Sequence, residues 1–185
     1  STPVLVAAAI AIRLEDGGPA LFVQDRVGKD EKRFRCLKFR TMLVDADRYL
    51  DASGRPTRDR ITRVGRLLRA VSVDELPQLV HVVRGQMSLV GPRPVPPSRA
   101  DTFNHGQRRR HRVRPGMTGL AQVSGRNTLQ WSRRLELDNH YIDNWTPQLD
   151  LAILWRTIAV VLKRDGVVID RNPASVDDLT PGVAK

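Results

Sequence analysis

The stretch SVDELPQLV, residues Ser72–Val80, sets two acidic side chains, Asp74 and Glu75, just ahead of a proline in a strongly basic chain. From Leu76 the apolar positions Leu76, Leu79, Val80 and Val83 fall at i, i+3, i+4 and i+7. This spacing predicts a helix running to Arg84–Gly85, where glycine can end it. Pro77 locates the start. Ser72-x-x-Glu75 has the form of a capping box, but a Ser72 cap puts Pro77 beyond the first turn, where proline costs roughly 3 kcal/mol. An Asp74 cap keeps Pro77 inside the tolerated turn, so Asp74 is expected at the N-cap, beside backbone N–H groups and the positive end of the helix dipole.

Upstream of this helix, ALFVQDRVG and RFRCLKFRTM read as two strands joined by the polar loop Lys29–Lys32, a hairpin. VDADRYLDASGRP suggests a short helix. ITRVGRLLRAV suggests a basic amphipathic helix with Ile61, Val64, Leu67 and Leu68 on one face. Downstream come a proline-rich loop (SLVGPRPVPP), an arginine-rich run (Arg108, Arg109, Arg110, Arg112, Arg114) and the strand-and-turn segment MTGLAQVSGRN. Two further helices are expected, WSRRLELDNHYIDNW and PQLDLAILWRTIAVVLKR, the second with Pro147 in its first turn. Its run from Leu149 to Leu162 is almost wholly apolar, which fits a buried core helix or one lying at a membrane interface. The tail from Val167 has no periodicity.

The 185 residues, 41% of them hydrophobic, suffice for one α/β domain of the α+β kind, helix-rich with a small β-hairpin. Lys and Arg number 31 against 20 acidic residues, a formal charge of +11 that calls for an anionic partner: nucleic acid, acidic lipid or a phosphorylated small molecule. Cys36 is the sole cysteine, which rules out a disulfide within the chain, a cysteine zinc site and a CxxC redox pair. His81, His105, His111 and His140 show no paired metal spacing. The uncharged run Ser1–Ile12 is shorter than the roughly 20 residues a spanning helix needs, so it reads either as a buried helix or strand or as part of a membrane-inserted segment.

A carboxylate kept anionic at a helix start can attack phosphorus or hold Mg²⁺, a hard cation that takes oxygen ligands and substrate phosphates. Basic residues must then hold the phosphates. Candidates are Lys38 and Arg40, which alternate along a strand and so share a face; Arg69, just ahead of the acidic pair; Arg93, between two prolines; and Arg126, after a serine-glycine turn. PRPVPP also has the form of a polyproline-II recognition segment.

Together, RVGKDEKRFRCLKFRTM, SVDELPQLVHVVRGQMSLVGPRP, RVRPGMTGLAQVSGRN and YIDNWTPQLDLAILWRTI resemble, in order, the signature of the bacterial sugar transferases, the monotopic phosphoglycosyl transferases. The resemblance covers nearly the whole chain. It implies transfer of a sugar 1-phosphate from a nucleotide-sugar, usually a UDP-sugar, to a polyprenol phosphate such as undecaprenyl phosphate, at the cytoplasmic face of the inner membrane. Surface-glycan assembly, such as that of exopolysaccharide, starts with this step. It further implies that Asp74 is the nucleophile, forming a phosphosugar-enzyme intermediate, that Glu75 assists, and that both carboxylates hold Mg²⁺. Lys38, Arg69, Arg93, Arg126 and Asp150 match the phosphate-handling and structural positions, Asp150 also having a capping role at the head of the last helix. Residues 1–13 are expected to be the remnant of a re-entrant membrane helix, Ser1-Thr2-Pro3 resembling its central break, and 14–185 the catalytic domain. Gln86 departs from the pattern, an aspartate being more usual there. Partners are the donor, the lipid acceptor, a membrane surface and potentially a second copy of the chain.

The rival expectation is a basic nucleic-acid-binding module using RRRHRVR and the helix around Arg63, Arg66 and Arg69. It explains the charge and leaves the acidic pair without a purpose, and 5% aromatics provide few stacking platforms. A third possibility, an inactive membrane adaptor, is at odds with the intact Asp74–Glu75 pair.

Overall fold

Strand β1 (Leu21–Val27) pairs antiparallel with β2 (Arg33–Phe39), in register from Leu21 opposite Phe39 to Val27 opposite Arg33. The hairpin is the one expected. Its connection winds through Lys29–Glu31, where Asp30 and Glu31 both take left-handed backbone angles (φ 52° and 59°). Along β2, Phe34 and Cys36 turn inward against Met87, while Phe39, of the opposite parity, joins a second apolar group. The structure is a computed structural model that describes residues 2–51, 57, 59–125, 128–163 and 177–179.

That second group brings two helices together. Helix α1 (Thr2–Asp16) buries Ala8 and Ile12 against Phe39 and against Leu68 of α2 (Arg63–Ala70), and leaves Val4, Val6, Ile10 and Leu14 outward. Among the described residues no helix is long and apolar enough to cross a membrane. Both carboxylate oxygens of Glu15, near the end of α1, accept from the Arg63 and Val64 amides (2.6 and 3.1 Å), and the Thr62 hydroxyl accepts from Gly65 N–H (2.9 Å). Together they satisfy donors that the start of α2 would otherwise leave unpaired. Leu67, expected inward, is 62% exposed. The face that packs carries Val64, Gly65 and Leu68, because Gly65 lies against the backbone of Thr41: a Cβ there would sit 2.2 Å from the Thr41 carbonyl oxygen. Arg40, a sequence candidate for phosphate, is buried and forks onto Asp16, also donating to the Pro19 and Met42 carbonyls. Its role is to tie α1 to the hairpin. In the segment after the hairpin, a short 3-10 turn covers Ala46–Tyr49, and the Gly/Pro end of the expected helix lies outside the described residues.

The opening stretch departs from expectation. Val73–Gln78 is a 3-10 helix, and the α-helix α3 occupies only Leu79–Val83. The cap position is Ser72, left-handed at φ 56° and without a side-chain cap bond, so neither the capping box nor an Asp74 cap forms. Pro77 has no N–H to give to an α-helical ladder, and the chain winds instead through i→i+3 turns. A 3-10 turn advances each residue by more than an α-turn does, so the stripe projected from Leu76 is rotated. Gln78 and His81 face inward, and Leu79 and Val83 (88% exposed) face out. His81 is satisfied inside: its Nε2 accepts the Leu37 amide of β2 (3.1 Å), leaving Nδ1–H to donate to Gln86 Oε1 (2.8 Å).

Beyond α3, β3 (Ser88–Val90) and β4 (Gly116–Thr118) pair in parallel, so SLV opens as a strand where the sequence suggested loop throughout. Short helices α4 (Pro97–Ala100), α5 (His105–Arg108) and α6 (Leu120–Val123) lead to α7 (Trp131–Asp143) and α8 (Pro147–Lys163), both at their expected places. Ile153 of α8, 1% exposed, packs with Val90, Val123 and Tyr141. Leu151, Trp155, Ile158 and Leu162 face outward, so α8 is neither wholly buried nor amphipathic in the ordinary polar-outside sense. Asp177–Leu179 returns to the body, Asp177 forking onto Arg99 and Leu179 packing over Val27, Val95 and Phe103.

The Gly65 contact predicts that Gly65→Ala, a change that raises helix propensity, destabilises the fold by about 1–3 kcal/mol, because the methyl meets backbone. Chemical denaturation measures this, and a stabilised variant would contradict it.

Candidate active site

Asp74 and Glu75 occupy consecutive positions of the 3-10 segment, which lies against β2, and differ in their partners. Glu75 is gripped by the guanidinium of Arg93, whose Nη1 donates to Oε2 at 3.1 Å and whose Nη2 donates to Oε1. Among the described residues the Asp74 carboxylate has no hydrogen-bond or ion-pair partner. Lys38 on β2, Arg69 at the end of α2 and Arg93 all act on it electrostatically.

Each cation has its own support. Arg69 donates from Nε to the Thr41 hydroxyl (2.9 Å), so the loop that touches Gly65 also aims this side chain. Lys38 lies 5.1 Å over the Phe22 ring of the neighbouring strand. Arg93 projects from a loop held at Gly91 N–H to Thr118 and at Gly116 N–H to Pro92, both 2.9 Å. This approach requires glycine, since a Cβ on Gly116 would lie 2.1 Å from the Gly91 nitrogen.

Burial raises the Asp74 carboxyl above its ordinary value, the adjacent Glu75 charge adds to this, and Arg93, Arg69 and Lys38 pull it back only in part. Burial lowers both Lys38 and Arg69, like charges add to the lowering at Lys38, and Asp74 opposes it at each. Arg93 is held more firmly protonated, chiefly by Glu75. The result is a half-buried carboxylate, unpaired and more basic than usual, facing cations suited to phosphate.

The structure thus brings together Asp74, Glu75, Lys38, Arg69 and Arg93. Arg126 lies outside the described residues. Asp150, in the first turn of α8, has other partners, accepting from Tyr141 Oη (2.7 Å) and Trp145 Nε1 (3.1 Å). It does not cap α8: Thr146 does, its hydroxyl accepting from Leu149 N–H (3.1 Å). Gln86 is the partner of His81 and orders the turn after α3. Sequence reasoning missed Arg26, which donates to Gln24 and to the Pro94 carbonyl and feels the charges of Arg93 and Glu75. Its signal was available, as the first residue of the quoted RVGKDEKRFR and on the same strand face as Gln24.

The donor set is compatible with Mg²⁺. That ion needs only one or two carboxylates when substrate phosphates and water complete its shell, and Asp74 is free to serve. Glu75 can join only by loosening its fork with Arg93. Among the described residues no cluster of three or more metal-ligating side chains is present, so the fit is to a shared, phosphate-dependent site and not to an all-protein cage.

The bacterial sugar transferase family profile matches residues 1–164, and the chain belongs to this family. It is 44% identical over 167 residues to an uncharacterized sugar transferase of Bacillus subtilis, covering 90% of this chain and 82% of that one. It is 46% identical over 171 residues to the UDP-glucose:undecaprenyl-phosphate glucose-1-phosphate transferase of Caulobacter vibrioides (88% of this chain, 64% of the relative). With the undecaprenyl-phosphate galactose phosphotransferase of Salmonella typhimurium it shares 43% over 166 residues, 82% of this chain and 35% of that protein. These matches lend no support to the nucleic-acid reading.

The raised Asp74 pKa has a consequence for stability. A folded pKa above the unfolded one contributes stability at low pH that is lost as pH rises through the folded value, so at neutral pH the ionised carboxylate is a net cost. Asp74→Asn is therefore expected to raise the thermal midpoint at pH 7 and to lose that advantage as the pH falls toward acid. A lower midpoint at pH 7 would contradict the electrostatic picture.

Proposed function

We propose that this chain is a phosphoglycosyl transferase that moves a sugar 1-phosphate from a UDP-sugar to undecaprenyl phosphate or a similar polyprenol phosphate, with Asp74 as nucleophile. The observation that carries the reading is the division of labour between adjacent carboxylates: Glu75 is committed to Arg93, whereas Asp74 is unpaired among cations. The names borne by the Caulobacter and Salmonella relatives supply the substrate classes.

In the first half-reaction an Asp74 carboxylate oxygen bonds to the sugar-bearing phosphorus. The bond from that phosphorus to the bridging oxygen breaks, and uridine monophosphate leaves with the electron pair. In the second, a phosphate oxygen of the lipid attacks the same phosphorus, and the aspartyl oxygen leaves as carboxylate. Sugar-diphospho-lipid is the product. Arg69, Lys38 and Arg93 offset the charge of phosphates that would otherwise be repelled by two carboxylates, and Arg93 keeps Glu75 from competing for the phosphorus. Asp74, with Glu75 if its fork with Arg93 loosened, would hold Mg²⁺, and the ion would supply further charge neutralisation. Burial keeps Asp74 basic enough to attack and poorly solvated enough to do so quickly.

Membrane association completes the proposal. The outward apolar residues of α1 and α8 can enter the headgroup region, and each Lys or Arg near an anionic leaflet contributes about 1 kcal/mol. We further propose a re-entrant setting for α1 at the cytoplasmic face.

Detergent-solubilised protein given candidate UDP-sugars, Mg²⁺ and polyprenyl phosphate is expected to release uridine monophosphate, and Asp74→Asn to reduce the rate by several orders of magnitude. No release with any donor, or unchanged release from the variant, would overturn the assignment.

A further inference from the structure

The loop Pro92-Arg93-Pro94 has an unusual bonding problem. Two of its three residues lack an N–H, so it cannot be held by a backbone ladder through its own donors, yet it carries the guanidinium that grips Glu75. Its carbonyls do the anchoring. That of Pro92 accepts from Gly116 N–H (2.9 Å), that of Pro94 from Arg26 Nη1 (3.2 Å), and that of Arg93 from Arg110 Nη2 (2.6 Å).

Arg110 is 3% exposed and lies in the short 3-10 turn Arg109–Arg112. The nitrogen that reaches the Arg93 carbonyl also lies 2.9 Å from Asp138 Oδ2 on α7, an ion pair in which Asp138 is likewise 3% exposed. The hydrogen bond goes to the Arg93 carbonyl, and the carboxylate holds the guanidinium by charge. The planar group also lies over the Phe103 ring, its central carbon 5.6 Å from the centroid. A buried ion pair of this sort is weak evidence for stability, because a well-packed apolar pair of similar volume is often as stable or more so. What an apolar pair cannot do is donate to the Arg93 carbonyl.

We propose that Arg110 and Asp138 are positioning residues for the transfer reaction: Asp138 orients the Arg110 guanidinium, Arg110 fixes the Arg93 peptide, and the Arg93 side chain thereby stays on Glu75 and beside Asp74. The inference rests on the reading of Asp74 and its cations as a phosphosugar transfer site. It concerns residues outside the quoted family motifs, joined to the site by one side chain and one carbonyl.

The test uses the full chain and the double variant Arg110→Met/Asp138→Leu. Its unfolding midpoint is expected to match or exceed that of the wild type, while kcat for uridine monophosphate release falls on the order of 10²-fold, as displaced catalytic groups do. The same double substitution made in an Arg93→Ala background is expected to cost little more, because the effect runs through Arg93. Hydrogen exchange supplies a readout independent of transfer: the peptide spanning residues 88–96 exchanges faster in the double variant, with the hairpin β1–β2 unchanged. Wild-type kcat and wild-type exchange in a folded double variant would overturn the proposal, as would an undiminished loss in the Arg93→Ala background. Should the double variant fail to fold, Arg110→Lys retains a charge for Asp138 and replaces the planar guanidinium with a single ammonium. It is expected to show the same loop-confined exchange and kcat loss, and a wild-type result there overturns the proposal equally. A wild-type protein that releases no nucleotide sinks the transfer reading, while the exchange arm still decides whether Arg110 holds the loop.

Discussion

The fork between Arg93 and Glu75 is the interaction on which the rest of the site depends. Two carboxylates on consecutive residues of a tight turn repel each other and compete for the same cations, and left equivalent they would share partners and titrate as a coupled pair. Commitment of Arg93 to Glu75 breaks that equivalence. Asp74 then has a neighbour whose charge is held by Arg93, has Lys38 and Arg69 for company, and keeps its lone pairs available. The geometry that permits this is local. Left-handed Ser72 and proline at 77 force 3-10 winding, which puts Asp74 and Glu75 about 120° apart around the segment and so onto different neighbours.

Supporting that turn takes most of the fold. The hairpin supplies Lys38 and Arg26, α2 supplies Arg69 through its contact with Thr41, and the parallel pair β3–β4 holds the Pro92–Pro94 loop. His81 fastens α3 to β2 by accepting the Leu37 amide, one residue from Lys38. Burial raises Asp74 and lowers Lys38 and Arg69, so the charged form of each is less favoured than it is in water. Such a site costs stability, and a phosphate-bearing substrate is what would relieve it.

The legible parts of the sequence were those governed by local pattern. The hairpin follows from alternation in LFVQDRV and RFRCLKF, and α7 and α8 from long periodic runs with a permitted Pro147. The acidic pair and three of its cations were likewise readable from ordered motifs. What was not readable depended on contacts remote in sequence. Apolar spacing put Leu79 and Val83 inward because a continuous 3.6-residue phase was assumed, and the 3-10 turn shifted it. Leu67 yielded its place to Gly65, whose value lies in having no side chain. Arg40 looked like a phosphate ligand and is consumed by Asp16, and Asp150 looked like a cap and bonds Tyr141 and Trp145, because partner choice is a tertiary fact. Arg110 was visible only as one of five arginines in a basic run, with nothing in that run to mark it as the buried one.

The central claim is that phosphosugar passes through Asp74, and it is tested most directly by intact-protein and peptide mass spectrometry of full-length protein incubated with a UDP-sugar and Mg²⁺ in the absence of lipid acceptor. The account predicts a gain of one phosphosugar per chain, mapped to Asp74 and discharged when polyprenyl phosphate is added. Turnover that requires both substrates together, with no adduct at any time, or an adduct on another residue, would contradict it.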